Sequence, residues 1–204
     1  MPKLIVALDN EDAFDLAEDI SEELPDVWFK IGPQLLCDPN WNDIMRWGLP
    51  DFNIFLDIKL IDTKDTVTEA VKRFADAGIS AVSTIGHRVT ETAVTAAINT
   101  PLKIWQLLRL SDNDEDNPSP ICAFADGVIC PANCLRYAER YKGRDIIVPG
   151  VRFTEESANN HLSIITPTAL SQMSFVTHAV VGRPIYNSDD PLTTVKKFHT
   201  ALGN

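Results

Sequence analysis

Eight short apolar runs, separated by helical patterns or turn-rich loops, constrain this chain more than any other feature of its sequence. They fall at residues 3–9, 27–32, 52–62, 81–86, 102–108, 127–130, 145–151 and 178–183. Between them apolar residues recur at three- and four-residue spacing, as in Leu16, Ala17, Ile20 and Leu24, or Val67, Ala70, Val71 and Phe74. Such spacing predicts helices over 12–24, with Asp12 as a cap, within 33–49, and over 66–77, 91–98, 132–140 and 192–202. Nearly unbroken apolar strands alternating with helices require a parallel sheet covered on both faces. Eight such units in 204 residues predict a single domain over 1–204, an α/β chain closed as a compact (β/α)8 TIM barrel. An open doubly wound sheet lacks its usual support, because Asp9-Asn10-Glu11 stands where a glycine-rich phosphate turn would follow the first strand. The acidic, turn-rich stretch 111–120 predicts a loop, so the segment after the fifth strand is shortened.

Charge and cysteine usage narrow the function classes. A net charge of −11 disfavours nucleic acid as a partner, and any anionic ligand must be held by local groups against that field. No apolar run reaches membrane length and the start lacks a basic, then apolar, leader, so a cytoplasmic protein without membrane association is expected. Cys130 and Cys134 have a spacing that a metal site permits, but no Cys/His pair completes the set; buried free thiols and no metal are expected.

Polar groups interrupt the third run in an ordered way. Phe55-Leu56-Asp57-Ile58-Lys59-Leu60-Ile61-Asp62 places Asp57 and Lys59 two residues apart, on one side of a strand. Opposite charges on a greasy strand suggest a paired cluster, although a strand end reaching water would carry the same residues. The other runs weigh for a site. Asp9, Lys30, Asp57, Lys59, His87, Ser111, the turn Pro149-Gly150-Val151-Arg152 and Gly182-Arg183 all fall at C-terminal strand ends, where barrels of this kind do their chemistry. Gly150 and Gly182 let backbone N–H groups approach a ligand, and Arg183 adds a cationic fork, at the two strand ends where this fold usually holds phosphate.

These residues resemble the orotidine 5′-monophosphate decarboxylase family. The family pattern Asp-x-Lys-x-x-Asp-Ile-x-x-Thr stands here as Asp57-Ile58-Lys59-Leu60-Ile61-Asp62-Thr63-Lys64-Asp65-Thr66. Ala7-Leu8-Asp9, Phe29-Lys30-Ile31-Gly32, Val148-Pro149-Gly150-Val151-Arg152 and Val181-Gly182-Arg183-Pro184-Ile185-Tyr186 add to it, in the family's order. The resemblance implies cofactor-independent decarboxylation of orotidine 5′-monophosphate to uridine 5′-monophosphate. Lys30, Asp57, Lys59 and Asp62 would form a charge network in which Lys59 protonates carbon 6. Asp9 would bind ribose hydroxyls, Pro149, Gly150, Gly182 and Arg183 would surround the phosphate, and Ser111 would contact the base. A homodimer is implied, with Asp62 and Thr66 contributed across its interface.

Departures from the pattern keep other functions open. Thr63-Lys64-Asp65 replaces the family's Ile-Pro-Asn, and His161 falls where a glutamine usually bridges phosphate and base. One alternative is a Mg²⁺-dependent sugar-phosphate decarboxylase or aldolase of the 3-keto-gulonate 6-phosphate decarboxylase and hexulose-phosphate synthase group; its members carry an acid where Lys30 stands. The other is a barrel that binds a nucleotide without catalysis.

Overall fold

β1 (Lys3–Leu8) buries five of its six residues, as a strand enclosed on both faces must. The remaining strands are β2 (Trp28–Ile31), β3 (Asn53–Leu60), β4 (Ala81–Thr84), β5 (Lys103–Leu107), β6 (Gly127–Ile129), β7 (Asp145–Pro149) and β8 (His178–Val181). Each pairs in parallel with the next, and β8 returns to β1, closing an eight-stranded barrel. The computed structural model describes residues 1–9, 13–37, 52–110, 120–153 and 164–204.

Helices follow most strands: α1 (Ala13–Glu23), α2 (Pro33–Leu36), α3 (Lys64–Asp76), α4 (His87–Ala97), α5 (Leu135–Ala138), α6 (Pro167–Ser171), α7 (Arg183–Tyr186) and α8 (Pro191–Ala201). The helix predicted over 132–140 is instead a single α-turn, α5, between 3₁₀ turns at Ala132–Cys134 and Glu139–Tyr141. Cys134, Leu135 and Ala138 meet the core within that turn, so no longer apolar stripe is required. α6 and α7 escape a periodicity search because five and four residues cannot display a 3.6-residue repeat. Each nevertheless has proline in its first turn, and the Thr166 hydroxyl accepts the Ala169 N–H as a cap. No helix lies between β5 and β6 among the described residues, and 111–119, most of the predicted loop, fall outside them. Asp12, Ile44, Met45 and Trp47 fall outside the described residues.

Strict alternation divides the core in two. Leu4, Val6 and Leu8 of β1, with Phe29, Ile54 and Val181 of other strands, face the surrounding helices. Ile5, Ala7, Trp28, Phe55, Trp105 and Val180 point into the barrel. Trp28 and Trp105 stack at 5.6 Å and Phe55 leans on Trp105 at 4.7 Å, so aromatic rings fill the interior beneath the C-terminal mouth. Cys122, Cys130 and Cys134 are buried thiols outside any disulfide, as expected, whereas Cys37 is exposed. No helix among the described residues is long and apolar enough to cross a membrane.

His178 opens β8 inside this aromatic layer, its ring 5.3 Å from Trp28 and 5.1 Å from Trp105. Nδ1 meets the Thr177 hydroxyl at 2.8 Å, while Nε2 is buried without a hydrogen-bond partner. Burial lowers the His178 pKa from 6.5 to about 4; Asp145 opposes that shift, and Lys103 and Lys3 reinforce it. A base depressed in the fold stabilises it fully above the unfolded value of 6.5, and that stabilisation is lost as pH falls toward 4. Unfolding by urea at pH 7 and pH 4.5 is expected to differ by about 2–3 kcal/mol from this group. His178→Gln should lose that part of the difference.

Candidate active site

The inward positions that carry apolar side chains low in the barrel carry charge at its C-terminal mouth. Lys30 sits between Ala7 and Phe55 in register, and one inward step further along β1 and β3 come Asp9 and Asp57. These residues open on a cavity of about 270 Å³, lined also by Lys59, Pro149, Gly150, Arg152, Gly182, Arg183 and Tyr186. Two ion pairs cross its floor. Lys30 Nζ lies 3.4 Å from Asp9 Oδ1, and Lys59 Nζ lies 3.0 Å from Asp57 Oδ1. Both pairs are partly shielded from water, Lys59 being the most open at 34%, which strengthens their fields moderately relative to a surface pair.

Asp57 and Lys59 share the cavity as alternation predicts, but through an irregular strand. Leu56 pairs with Val82 and Leu60 with Thr84, so three residues of β3 face one of β4. Within this bulge Lys59 has φ +52°, a left-handed conformation that costs a residue with a Cβ about 1–2 kcal/mol. Its N–H, displaced from the ladder, donates to the Ser83 hydroxyl at 2.7 Å.

At the other side of the cavity the backbone makes room for a ligand. Gly150 has φ +78°, which a larger residue would adopt only with strain. A Cβ on Gly182 would lie 3.2 Å from the Ala7 Cβ and 3.4 Å from Asp9 Oδ2, so a side chain there would crowd the carboxylate. Arg152 is 3% exposed, and its Nε and Nη1 atoms are buried without a hydrogen-bond partner. Burial, then the charge of Arg183, pushes its guanidinium below the ordinary arginine range. Two cations, one with open donors, line this cavity, an arrangement with the charge and donors to hold an anion. Tyr186 adds a phenol beside Asp9; burial first, then the Asp9 charge, raises its pKa.

Of the residues singled out in the sequence, Asp9, Lys30, Asp57, Lys59, Pro149, Gly150, Gly182 and Arg183 therefore line one cavity. Asp62 does not: it is exposed beyond the end of β3, and its Oδ1 accepts the Thr63 N–H at 2.6 Å. Thr66 is also exposed, its hydroxyl 3.0 Å from that of Thr63. Ile61 beside them is 65% exposed, so this edge presents apolar surface to water. Ser111 and His161 fall outside the described residues. His87 is exposed at the start of α4, away from the cavity. Arg152, Tyr186 and Ser83 received no role from the sequence. The polar side chains just beyond Gly150 and Gly182, and a lone serine in an apolar strand, were the available signals. No group of three or more His, Cys, Asp or Glu suited to a metal ion is found among the described residues.

A family model described as "Orotidine 5'-phosphate decarboxylase / HUMPS family" matches residues 2–198. The chain belongs to this family. It is 26% identical to the orotidine 5′-phosphate decarboxylase of Idiomarina loihiensis, with 100% of this chain and 99% of the relative covered. It is 27% identical to that of Actinobacillus succinogenes, covering 99% and 98%. Among solved structures, the orotidine 5′-phosphate decarboxylase of Lactobacillus acidophilus superposes over 100% of both chains with a TM-score of 0.75 at 22% identity. The Methanocaldococcus jannaschii enzyme, crystallised with the inhibitor BMP, superposes over 100% of both chains with a TM-score of 0.73 at 20% identity. These two structural likenesses bear on the fold, the same closed barrel. Family membership carries the chemical class, a decarboxylase acting as a carbon–carbon lyase.

Proposed function

We propose that this protein decarboxylates orotidine 5′-monophosphate to uridine 5′-monophosphate without a cofactor. The observation that carries the reading is the Lys59–Asp57 pair on the floor of a cavity whose far side holds two arginines and two glycines, in a chain of this family. The 5′-phosphate is assigned to Arg152, Arg183 and the backbone at Pro149-Gly150 and Gly182. Ribose hydroxyls are assigned to the Asp9–Lys30 pair, with Tyr186 beside it. The base then lies over Asp57 and Lys59.

In that pose the substrate carboxylate approaches Asp57. Two like charges ~4 Å apart at an effective dielectric of ~20 repel by about 4 kcal/mol. The bond from carbon 6 to the carboxylate breaks, carbon dioxide leaves, and the electron pair stays on carbon 6. Lys59 stabilises that pair as a cation and then delivers a proton to it from Nζ, which balances the reaction. Binding of the distant phosphate holds the reacting carbon against both groups, so its contribution appears in the transition state as well as in affinity.

Asp62 and Thr66 fit a homodimer in which each serves the partner's cavity. Both are exposed here beside the apolar Ile61, and neither reaches the cavity of its own chain. Lys30 paired with Asp9 supports the orotidylate branch over the metal-dependent sugar-phosphate branch, which is expected to have an acid at that position. The direct test is loss of ultraviolet absorbance from orotidine 5′-monophosphate with EDTA present. Undiminished turnover is expected; folded protein that leaves the substrate intact would overturn the assignment.

A further inference from the structure

Ser83 is wholly buried on β4, opposite the bulge in β3. The ladder between these strands holds at Leu56–Val82 and resumes at Leu60–Thr84, where the Ile85 N–H donates to the Leu60 carbonyl at 3.2 Å. Across the gap, the Lys59 N–H has lost a regular backbone acceptor on β4, and the Ser83 hydroxyl takes its place at 2.7 Å. That bond belongs to the one residue of β3 with a positive φ, and the same residue carries its Nζ to Asp57. A buried N–H without an acceptor is strongly disfavoured. If the hydroxyl is removed, the left-handed turn at Lys59 therefore gives way to a conformation that finds another acceptor, and the ammonium moves with it.

We infer that Ser83 is a positioning residue for the reaction: its hydroxyl holds the left-handed backbone of Lys59 and thereby sets where the Lys59 ammonium meets Asp57 and the substrate. The inference rests on the reading of Lys59 as proton donor. It assigns Ser83 no contact with the substrate, so loss of its hydroxyl should alter turnover and spare binding. Displacement of a reacting group by about 1 Å can cost on the order of 100-fold in rate.

The test uses Ser83→Ala and Ser83→Cys, the second nearly isosteric but a poor acceptor. The expected result is a kcat about 10- to 100-fold lower for both. KM and the dissociation constant for uridine 5′-monophosphate should stay within about threefold, because the phosphate and ribose contacts are untouched. Crystal structures of the variants should show Lys59 out of the left-handed region and its Nζ withdrawn from Asp57. Wild-type kcat in a folded variant would overturn the inference, as would joint loss of kcat, nucleotide affinity and thermal stability, which would mark Ser83 as a packing residue. An unchanged Lys59 in the variant crystals would overturn it as well. Should the wild type fail to decarboxylate orotidine 5′-monophosphate, the proposed function falls, and the crystal comparison alone then decides the role of Ser83.

Discussion

Lys59→Ala is expected to lower kcat by about 10⁴-fold or more, with the affinity for uridine 5′-monophosphate changed only a few-fold. Two losses combine in the transition state. The proton donor disappears, and general acid–base catalysis alone contributes roughly 10²–10⁴-fold. The cation that would face the developing carbanion disappears as well, in a shielded site where such a charge acts strongly. Product affinity is expected to hold because uridine 5′-monophosphate has no carboxylate to meet Asp57, and its phosphate is assigned to the far side of the cavity. Lys59→Arg discriminates charge from geometry. The guanidinium keeps the cation but is a poor proton donor at neutral pH and a different shape, so kcat should still fall by about 10²-fold or more. Steady-state absorbance assays and nucleotide titration read both arms. A Lys59→Ala enzyme within tenfold of wild type would remove Lys59 from the chemistry.

How far the sequence alone leads here depends on whether a feature is periodic. The strands and their inward positions were legible because apolar runs and strict alternation express the barrel directly. Ala7, Lys30, Phe55 and Asp57 fall inward by counting in twos. The bulge at Lys59 was not legible: Asp57-Ile58-Lys59-Leu60 reads as a regular strand whether or not its pairing slips against Val82 and Thr84. Its stabilising partner, Ser83, sits on another strand, and a hydrogen bond between distant segments leaves no spacing to detect. The broken helix around Leu135–Ala138 and the short helices at Pro167–Ser171 and Arg183–Tyr186 were obscured for the opposite reason, being shorter than the repeat that reveals helices. Asp62 was readable as a motif residue, and its exposure follows because the strand ends at Leu60 and the motif does not.

Arg152 is expected to give opposite signs in stability and activity. The residue is 3% exposed, its Nε and Nη1 are without partners, and its guanidinium feels the charge of Arg183. In the ligand-free protein that arrangement is unfavourable, since a buried cation with two donor atoms lacking acceptors forfeits hydration there. Arg152→Met fills similar space without the charge and should stabilise the free protein by about 1–2 kcal/mol, a rise of roughly 2–8 °C in Tm for a chain of this size. The same change should lower kcat/KM for orotidine 5′-monophosphate by about 100-fold, because a charge-assisted contact to phosphate contributes roughly 1.5–3 kcal/mol and Arg183 is left to act alone. Thermal shift separates the two effects: uridine 5′-monophosphate should raise the Tm of the wild type substantially and that of the variant much less. A variant less stable than wild type when free, yet equally stabilised by the nucleotide, would make Arg152 a packing residue. The expected pattern instead places a destabilised cation where the ligand's charge is needed, so that stability given up in the empty barrel returns as affinity when phosphate enters.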